Sequence, residues 1–315
     1  MWRSKLSPEA RWTLCCIGGV MAISAVFSWV NWKVDLYGLF GKGSRIVYSD
    51  ERQGKYLLSR RYVPGNFDAL LVGTSITDNW DTSKIDSLRM YNGSISGGNI
   101  SEAKIVADNV LTRTKLKAIV FCVYPYLTQT HGRKAGGMDE REFWGAFGSL
   151  QLLRDYAEAV RIERRGKPRA FDEFGMNHLE FSESRRIWWE KGGISPPNED
   201  VTIDPVAYAE YGELVQKARS AGTEIFRVVP PINYQRWSQN RDAFTKYFVR
   251  MNDLFHADET LVDFNRPEFD PLRKERETFN DGAHLSQKGV SYVMNILNQT
   301  IRLRTVQELN AKSLN

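Results

Sequence analysis

The run Phe67-Asp68-Ala69-Leu70-Leu71-Val72-Gly73-Thr74-Ser75 decides how the chain is read. Residues 67–72 are short, apolar and stopped by glycine, the pattern of a strand buried on both faces of a parallel sheet. Gly73 permits a tight turn, and Ser75 is then delivered just past the strand end. The same grammar recurs outward from this run. Residues 88–91 read as a short second strand. Residues 101–111 read as a helix with Ile105, Val106 and Val110 at core-facing spacing. An almost wholly apolar third strand follows at 118–123. A helix over 205–221 is stopped by Gly222 and leads to a fourth strand at 224–229, and 261–264 reads as a fifth. Ser286 is placed to cap a last helix carrying Val290, Val293, Ile296, Leu297 and Ile301 on one face.

Strands alternating with helices predict an α/β fold: a mostly parallel sheet between two helical layers, with functional groups gathered at the carboxyl ends of the strands. Three segments fall there. Ser75 is the first, and a helix beginning at Ser75 would add its N-terminal dipole to that position. The glycine- and serine-rich run 92–99 is the second, able to offer backbone N–H groups to an oxyanion. The third is Asn280-Asp281-Gly282-Ala283-His284, where the acid can accept the imidazole Nδ1–H, fix its tautomer and leave Nε2 facing a serine. Each alone has a plainer reading. Ser75 serves equally as a helix cap, 92–99 as a flexible turn, and Asp281-Gly282 as a turn beside a surface histidine. Three such segments at one sheet edge point to serine nucleophilic chemistry.

The N-terminus sets location. Residues 12–30 carry no charge and come close to the ~20 apolar residues that span a bilayer. Arg3, Lys5 and Arg11 precede them, which predicts a cytoplasmic N-terminus. Trp12, Trp29 and Trp32 stand where interfacial aromatics anchor a helix. Ala22-Ile23-Ser24 resembles a cleavage site, but the apolar run continues past it, so the segment reads as an uncleaved anchor. The division expected is a cytoplasmic tail 1–11, a transmembrane anchor 12–32, a connector 33–66, a catalytic domain 67–304 with an insertion at 127–204, and a tail 305–315. The anchor would lie in an inner membrane, with the domain periplasmic. The insertion reads as a lid at the catalytic end of the sheet. Net charge is +5 with both signs mixed along the chain, and no basic run is interleaved with aromatics, so nucleic acid is not an expected partner. The three cysteines form neither a disulfide framework nor a metal site, and Cys122 reads as core. His131, His178 and His256 lack an acid at fixed spacing and read as structural or exposed. Neither metal nor cofactor is expected.

Together these pieces resemble the SGNH, or GDSL-like, hydrolase superfamily, over about residues 67–301. Gly73-Thr74-Ser75 corresponds to its first block, Ser94-Ile95-Ser96-Gly97 to its second and Asp281 to His284 to its fifth. The resemblance implies a three-layer α/β/α, flavodoxin-like fold. It implies Ser75 as nucleophile, His284 as general base, Asp281 as its orienter, and the Ser75 and Gly97 N–H groups in the oxyanion hole. Thr74 replaces the usual aspartate. Val123-Tyr124-Pro125-Tyr126 lacks the asparagine of the third block, which leaves Tyr126 or Asn99 as substitutes for the third donor. A membrane anchor before such a domain resembles the envelope polysaccharide-modifying type, similar to alginate O-acetylation proteins. That implies an acetylesterase or O-acetyltransferase on an exported polysaccharide, working beside a membrane acyltransferase or secretion complex. Trp144, Trp188 and Trp189 are candidates for stacking on sugar rings or, equally, for packing. Two other readings stand beside it: a lipid or thioester hydrolase, and a non-catalytic carbohydrate-binding or assembly subunit.

Overall fold

The computed structural model describes residues 7–41, 51–129, 138–165, 171–178, 183–193 and 199–313. Arg3, Lys5 and His131 lie outside the described residues. The first element, α1 (Pro8–Val34), opens on Ser7, whose hydroxyl accepts from the Ala10 N–H, and is long and apolar enough to cross a membrane. At ~1.5 Å per residue its 27 residues reach about 40 Å, more than a hydrocarbon core of ~30 Å. None of its apolar window is buried against the rest of the chain. Two short helices follow, α2 (Glu51–Leu58) and α3 (Tyr62–Asn66). Although they fall within the expected connector, Tyr56, Leu57, Leu58 and Val63 are buried in the same core as the sheet.

The sheet has five strands: β1 (Ala69–Val72), β2 (Met90–Asn92), β3 (Ala118–Cys122), β4 (Glu224–Val229) and β5 (Thr260–Asp263). All pair in parallel, in the order β2-β1-β3-β4-β5. That is the flavodoxin-like order of a doubly wound sheet, in which the strand order switches direction between β1 and β3 and opens a crevice above their carboxyl ends. The period-two alternation of strand residues divides the core. Leu70, Val72, Ile119 and Phe121 face one layer, and Ala69, Leu71, Ala118 and Val120 face the other. Each of the fully buried leucine, valine, isoleucine and phenylalanine side chains contributes roughly 1.5–3 kcal/mol.

The remaining helices are α4 (Ile100–Leu111), α5 (Glu140–Gly145), α6 (Leu150–Arg165), α7 (Glu183–Glu190), α8 (Pro205–Ser220), α9 (Tyr234–Gln239), α10 (Arg241–Asn252), α11 (Asp270–Lys274) and α12 (Gln287–Ser313). Helices α2, α3, α4, α8 and α10 supply the first layer, where Val106 and Val110 are buried. Helix α12 supplies much of the second through Val290, Val293, Leu297 and Ile301. Ser286 caps it, its hydroxyl accepting from the Gly289 N–H. The helix continues through the expected tail to Ser313.

Candidate active site

The Asp281–His284 turn pairs its acid and its imidazole through bonds between near neighbours in sequence. Asp281 is buried, and its Oδ1 accepts the backbone N–H groups of Ala283 at 3.1 Å and His284 at 2.8 Å. Its two oxygens lie 3.1 and 3.0 Å from the His284 Nδ1. Burial would raise the Asp281 carboxyl, but the imidazole and the two N–H groups outweigh it and hold the pKa at about 2. The carboxylate thus remains charged and fixes a tautomer with the proton on Nδ1. Gly282 sits at φ +81°, and a Cβ there would stand 2.7 Å from the Trp189 ring, so only glycine fits.

The serine side is held differently. Ser75 is half-buried in a run of turns after β1, so of helix or loop, the two readings open for residues 75–85, the stretch directly after Ser75 is loop. Asn92 fastens this turn. Its side-chain amide on β2 reaches the carbonyls of Thr77, Asp78 and Trp80 at 2.8, 3.1 and 3.0 Å, while its Oδ1 accepts the Ser94 N–H at 3.0 Å. The turn also has backbone bonds of its own, from the Thr77 N–H to the Thr74 carbonyl at 2.9 Å and from the Trp80 N–H to the Thr77 carbonyl at 3.1 Å, so side chain and backbone fix it together. Gly73 cannot be larger, because a Cβ would lie 2.0 Å from Thr77 Oγ1. Among the described residues the Ser75 hydroxyl makes no hydrogen bond, including to His284. Such a contact is often loose before substrate binds. The two sides meet four residues further on, where Asn79 Nδ2 donates to the Leu285 carbonyl at 2.8 Å.

The third segment, Ser94 to Gly97, lies under helix α2. Arg52 Nη2 donates to the carbonyls of Ser96 and Gly97 at 3.1 and 3.0 Å. Lys55, fully buried, donates to the Ser94 carbonyl and pairs with Glu51 at 2.9 Å, and Glu51 accepts the Ser96 N–H at 3.1 Å. With its carbonyl taken by Arg52, Gly97 at φ +60° has an N–H in no hydrogen bond among the described residues. Beside these charges the Asp78 carboxyl is pushed well above the usual range, by burial first and then by Glu51, with Lys55 opposing. Sequence reading missed Glu51, Arg52, Lys55, Asp78 and the amide role of Asn92. The only signal was a helical stretch unusually dense in charge, 51–55, placed before the first strand.

Of the donor candidates, Asn99 is occupied as the N-cap of α4, its Oδ1 accepting from the Glu102 N–H at 3.1 Å in a capping box. The Tyr126 hydroxyl lies 3.8 Å from where a Gly97 Cβ would stand. The insertion divides. Residues 171–178 pack beside the Ser75 turn, the Asn177 N–H donating to the Asp78 carbonyl at 2.8 Å and the Asn92 N–H to the Phe174 carbonyl at 2.7 Å. Helix α7 brings Trp189 onto Gly282 and under Arg276, whose guanidinium stands 4.0 Å from the ring centroid, so this ring is engaged in packing. Trp188 is 44% exposed. Trp144 is carried elsewhere, on α5 against Phe143 and Phe147. His178 and His256 are exposed, and Cys122 is fully buried. A cavity of about 670 Å³ opens at the opposite edge of the sheet, among Lys117, Thr223 and Glu224, where β3 and β4 begin. It shares no residue with the three segments.

No family model and no curated protein matches this chain. Solved structures similar to it include a Streptococcus pneumonia protein provisionally described as a platelet activating factor, 15% identical with a TM-score of 0.45, the match covering 89% of this chain and 98% of that one. A GDSL-like lipase from Bacteroides thetaiotaomicron is 12% identical with a TM-score of 0.38, covering 75% and 88%. The lipase/acylhydrolase from Enterococcus faecalis is 12% identical with a TM-score of 0.37, covering 75% and 95%. These likenesses are partial in shape and remote in sequence, and what this chain does rests on its own residues.

Proposed function

We propose that the chain is a membrane-anchored, extracytoplasmic serine acyl-ester enzyme, an acetylesterase or O-acetyltransferase acting on an exported or cell-envelope polysaccharide. The observation that carries this reading is the buried Asp281 carboxylate on the His284 Nδ1, tied through Asn79 and Leu285 to the turn bearing Ser75. In this reading His284 Nε2 takes the Ser75 proton as Oγ forms a bond to the ester carbonyl carbon. The oxyanion is received by the N–H groups of Ser75 and Gly97, with the Tyr126 hydroxyl as third donor. The ester C–O bond then breaks, the proton passes from His284 to the departing alcohol, and acyl-Ser75 remains. Water or a sugar hydroxyl, deprotonated by His284, attacks next and restores the serine. Helix α1 would hold the domain at the membrane that exports the polymer, with its N-terminus cytoplasmic.

The test is to incubate the full chain in detergent with an acetyl ester, with and without oligosaccharide acceptors. Acetate release alone is expected of an esterase, and acetylated sugar of a transferase. A folded chain giving neither product would remove the enzyme reading. A non-catalytic polysaccharide-binding subunit is the second reading, favoured by the absence of an asparagine in Tyr124-Pro125-Tyr126. A serine-directed phosphonate separates the two, because a binding subunit would label no better than its Ser75→Ala variant.

A further inference from the structure

The last turn of α1 does not lead into a free linker. Leu36, Tyr37 and Leu39, immediately after it, are buried in the main core. Asn31, 1% exposed, donates through its amide to the Ala146 carbonyl at 3.1 Å and accepts from the Tyr156 hydroxyl at 3.0 Å. Tyr37 donates to Asp155. Helices α5 and α6 are therefore fastened directly to the end of the apolar helix, and whatever surface α1 emerges from, α6 lies beside it.

Helix α6 turns Leu152, Tyr156 and Ala159 inward. Its exposed surface is mixed: Gln151, Arg154, Arg161, Glu163, Arg164 and Arg165 are exposed, and beside them runs an apolar strip that a surface helix ordinarily turns inward. Leu150, Leu153, Ala157 and Val160, spaced by three, four and three residues, form one stripe, with Leu150 76%, Leu153 38% and Val160 46% exposed. Trp144, 66% exposed, adds to the apolar surface just before α6. At 100° per residue, Arg154, Arg161 and Arg164 fall within or beside the stripe. Arg161 pairs with Glu158 at 2.9 Å, while Arg154 and Arg164 have no ion pair among the described residues.

We propose that this stripe is a membrane-contact surface: α6 lies in the headgroup region of the bilayer that α1 crosses, its leucines and valine among acyl chains and its arginines on anionic phospholipid headgroups. The occupant follows from continuity with the end of α1 and from charge complementarity, since an apolar helical face flanked by arginines is what an anionic lipid interface selects. This assigns Trp144 to lipid, not to polymer. The inference rests on the membrane-spanning reading of α1, and its test separates the two.

The full chain, with Cys15→Ser and Cys16→Ser, is reconstituted into vesicles of phosphatidylcholine and phosphatidylglycerol. Single cysteines carrying a fluorophore are placed by Leu153→Cys, Val160→Cys, Val20→Cys in α1 and Val249→Cys on α10. Cys122 stays unlabelled, being buried with its thiol pushed up to about 12. The labels at 153 and 160 should be quenched by brominated lipid as the label at 20 is. Relative to the label at 249 they should be at least about threefold protected from iodide, as residues seated among headgroups are. Lipid quenching at 153 and 160, but not at 20, should fall when phosphatidylglycerol is omitted, and equal quenching in both lipids would overturn the role given to the arginines. Iodide access at 153 and 160 with lipid quenching at 20 would overturn the inference while leaving the anchor standing. Iodide access at all four positions would overturn both. Protection at 153 and 160 from iodide and lipid alike would mean that protein, a second copy or a partner, covers the stripe, and the inference would fall.

Discussion

The two halves of the candidate site are built by opposite means. The acid and imidazole sit three residues apart in one turn, and Asp281 accepts from the backbone N–H groups of Ala283 and His284 and meets the His284 Nδ1. The serine half is assembled from distance. The turn that follows Ser75 is held at Thr77 by an amide from β2, and Gly97 by Arg52, which lies 45 positions away in the chain. A locally closed turn survives changes elsewhere. A loop held by remote side chains transmits them, so the precision of the serine side depends on residues that never meet substrate.

The largest effect expected is on the nucleophile. Ser75→Ala should cut kcat for acetyl-ester cleavage by roughly 10⁶-fold, the order seen when a triad serine is lost, with an unchanged melting temperature. Retention of more than a hundredth of the activity would sink the acyl-Ser75 step. Next comes the local half. Asp281→Asn keeps the shape of the turn but removes the charge that orients His284, and a loss of about 10⁴-fold in kcat is expected with little change in KM. A loss confined to KM would mean that the turn binds substrate without acting as an orienting pair.

The third prediction separates the halves. Asn92→Ala strips the Ser75 turn of its amide and should lower stability by about 2–3 kcal/mol in urea unfolding, the cost of leaving buried polar groups unpaired. It should also lower kcat, although residue 92 is not itself assigned to the chemistry. Loss of stability alone would show that the serine half is less dependent on remote support than its hydrogen bonds indicate. The smallest effect is a pH dependence of the local half. The Asp281 pKa of about 2 lies below its ordinary value of 3.8, so its contribution is complete above pH ~4 and is lost as pH falls through about 2, amounting to about 2 kcal/mol. The difference in unfolding free energy between wild type and Asp281→Asn, measured from pH 5 to pH 2, should shrink by that amount. A constant difference would contradict it.

Much of the fold was legible because parallel strands buried on both faces must be short, apolar and stopped by turn residues. The runs at β1, β3 and β4 were therefore identifiable without their partners. The core face of α12 was readable from its period, and the Asp281–His284 pair from its spacing. Strand order followed only in outline, from alternation of helix and strand. The stretch after Ser75 read as helix or loop, and the Asn92 amide that fastens it as a turn is a contact no window around Ser75 contains. Trp144, Trp188 and Trp189 illustrate the same limit, since composition could not tell a ring free at the surface from one packed on Gly282.

The sequence by itself determined what is local: which runs become strands, the acid three residues from the imidazole, and an N-terminal helix whose uncharged run, residues 12–30, is of membrane-spanning length. These depend on backbone periodicity and on neighbours within a turn. Tertiary structure alone decided that α2 joins the core and grips the Gly97 loop, that Asn92 shapes the serine turn, and that α6 is fastened to the end of α1. Each of these depends on side chains brought together from tens of positions apart, and their pairing is set by the closing of the sheet and its layers.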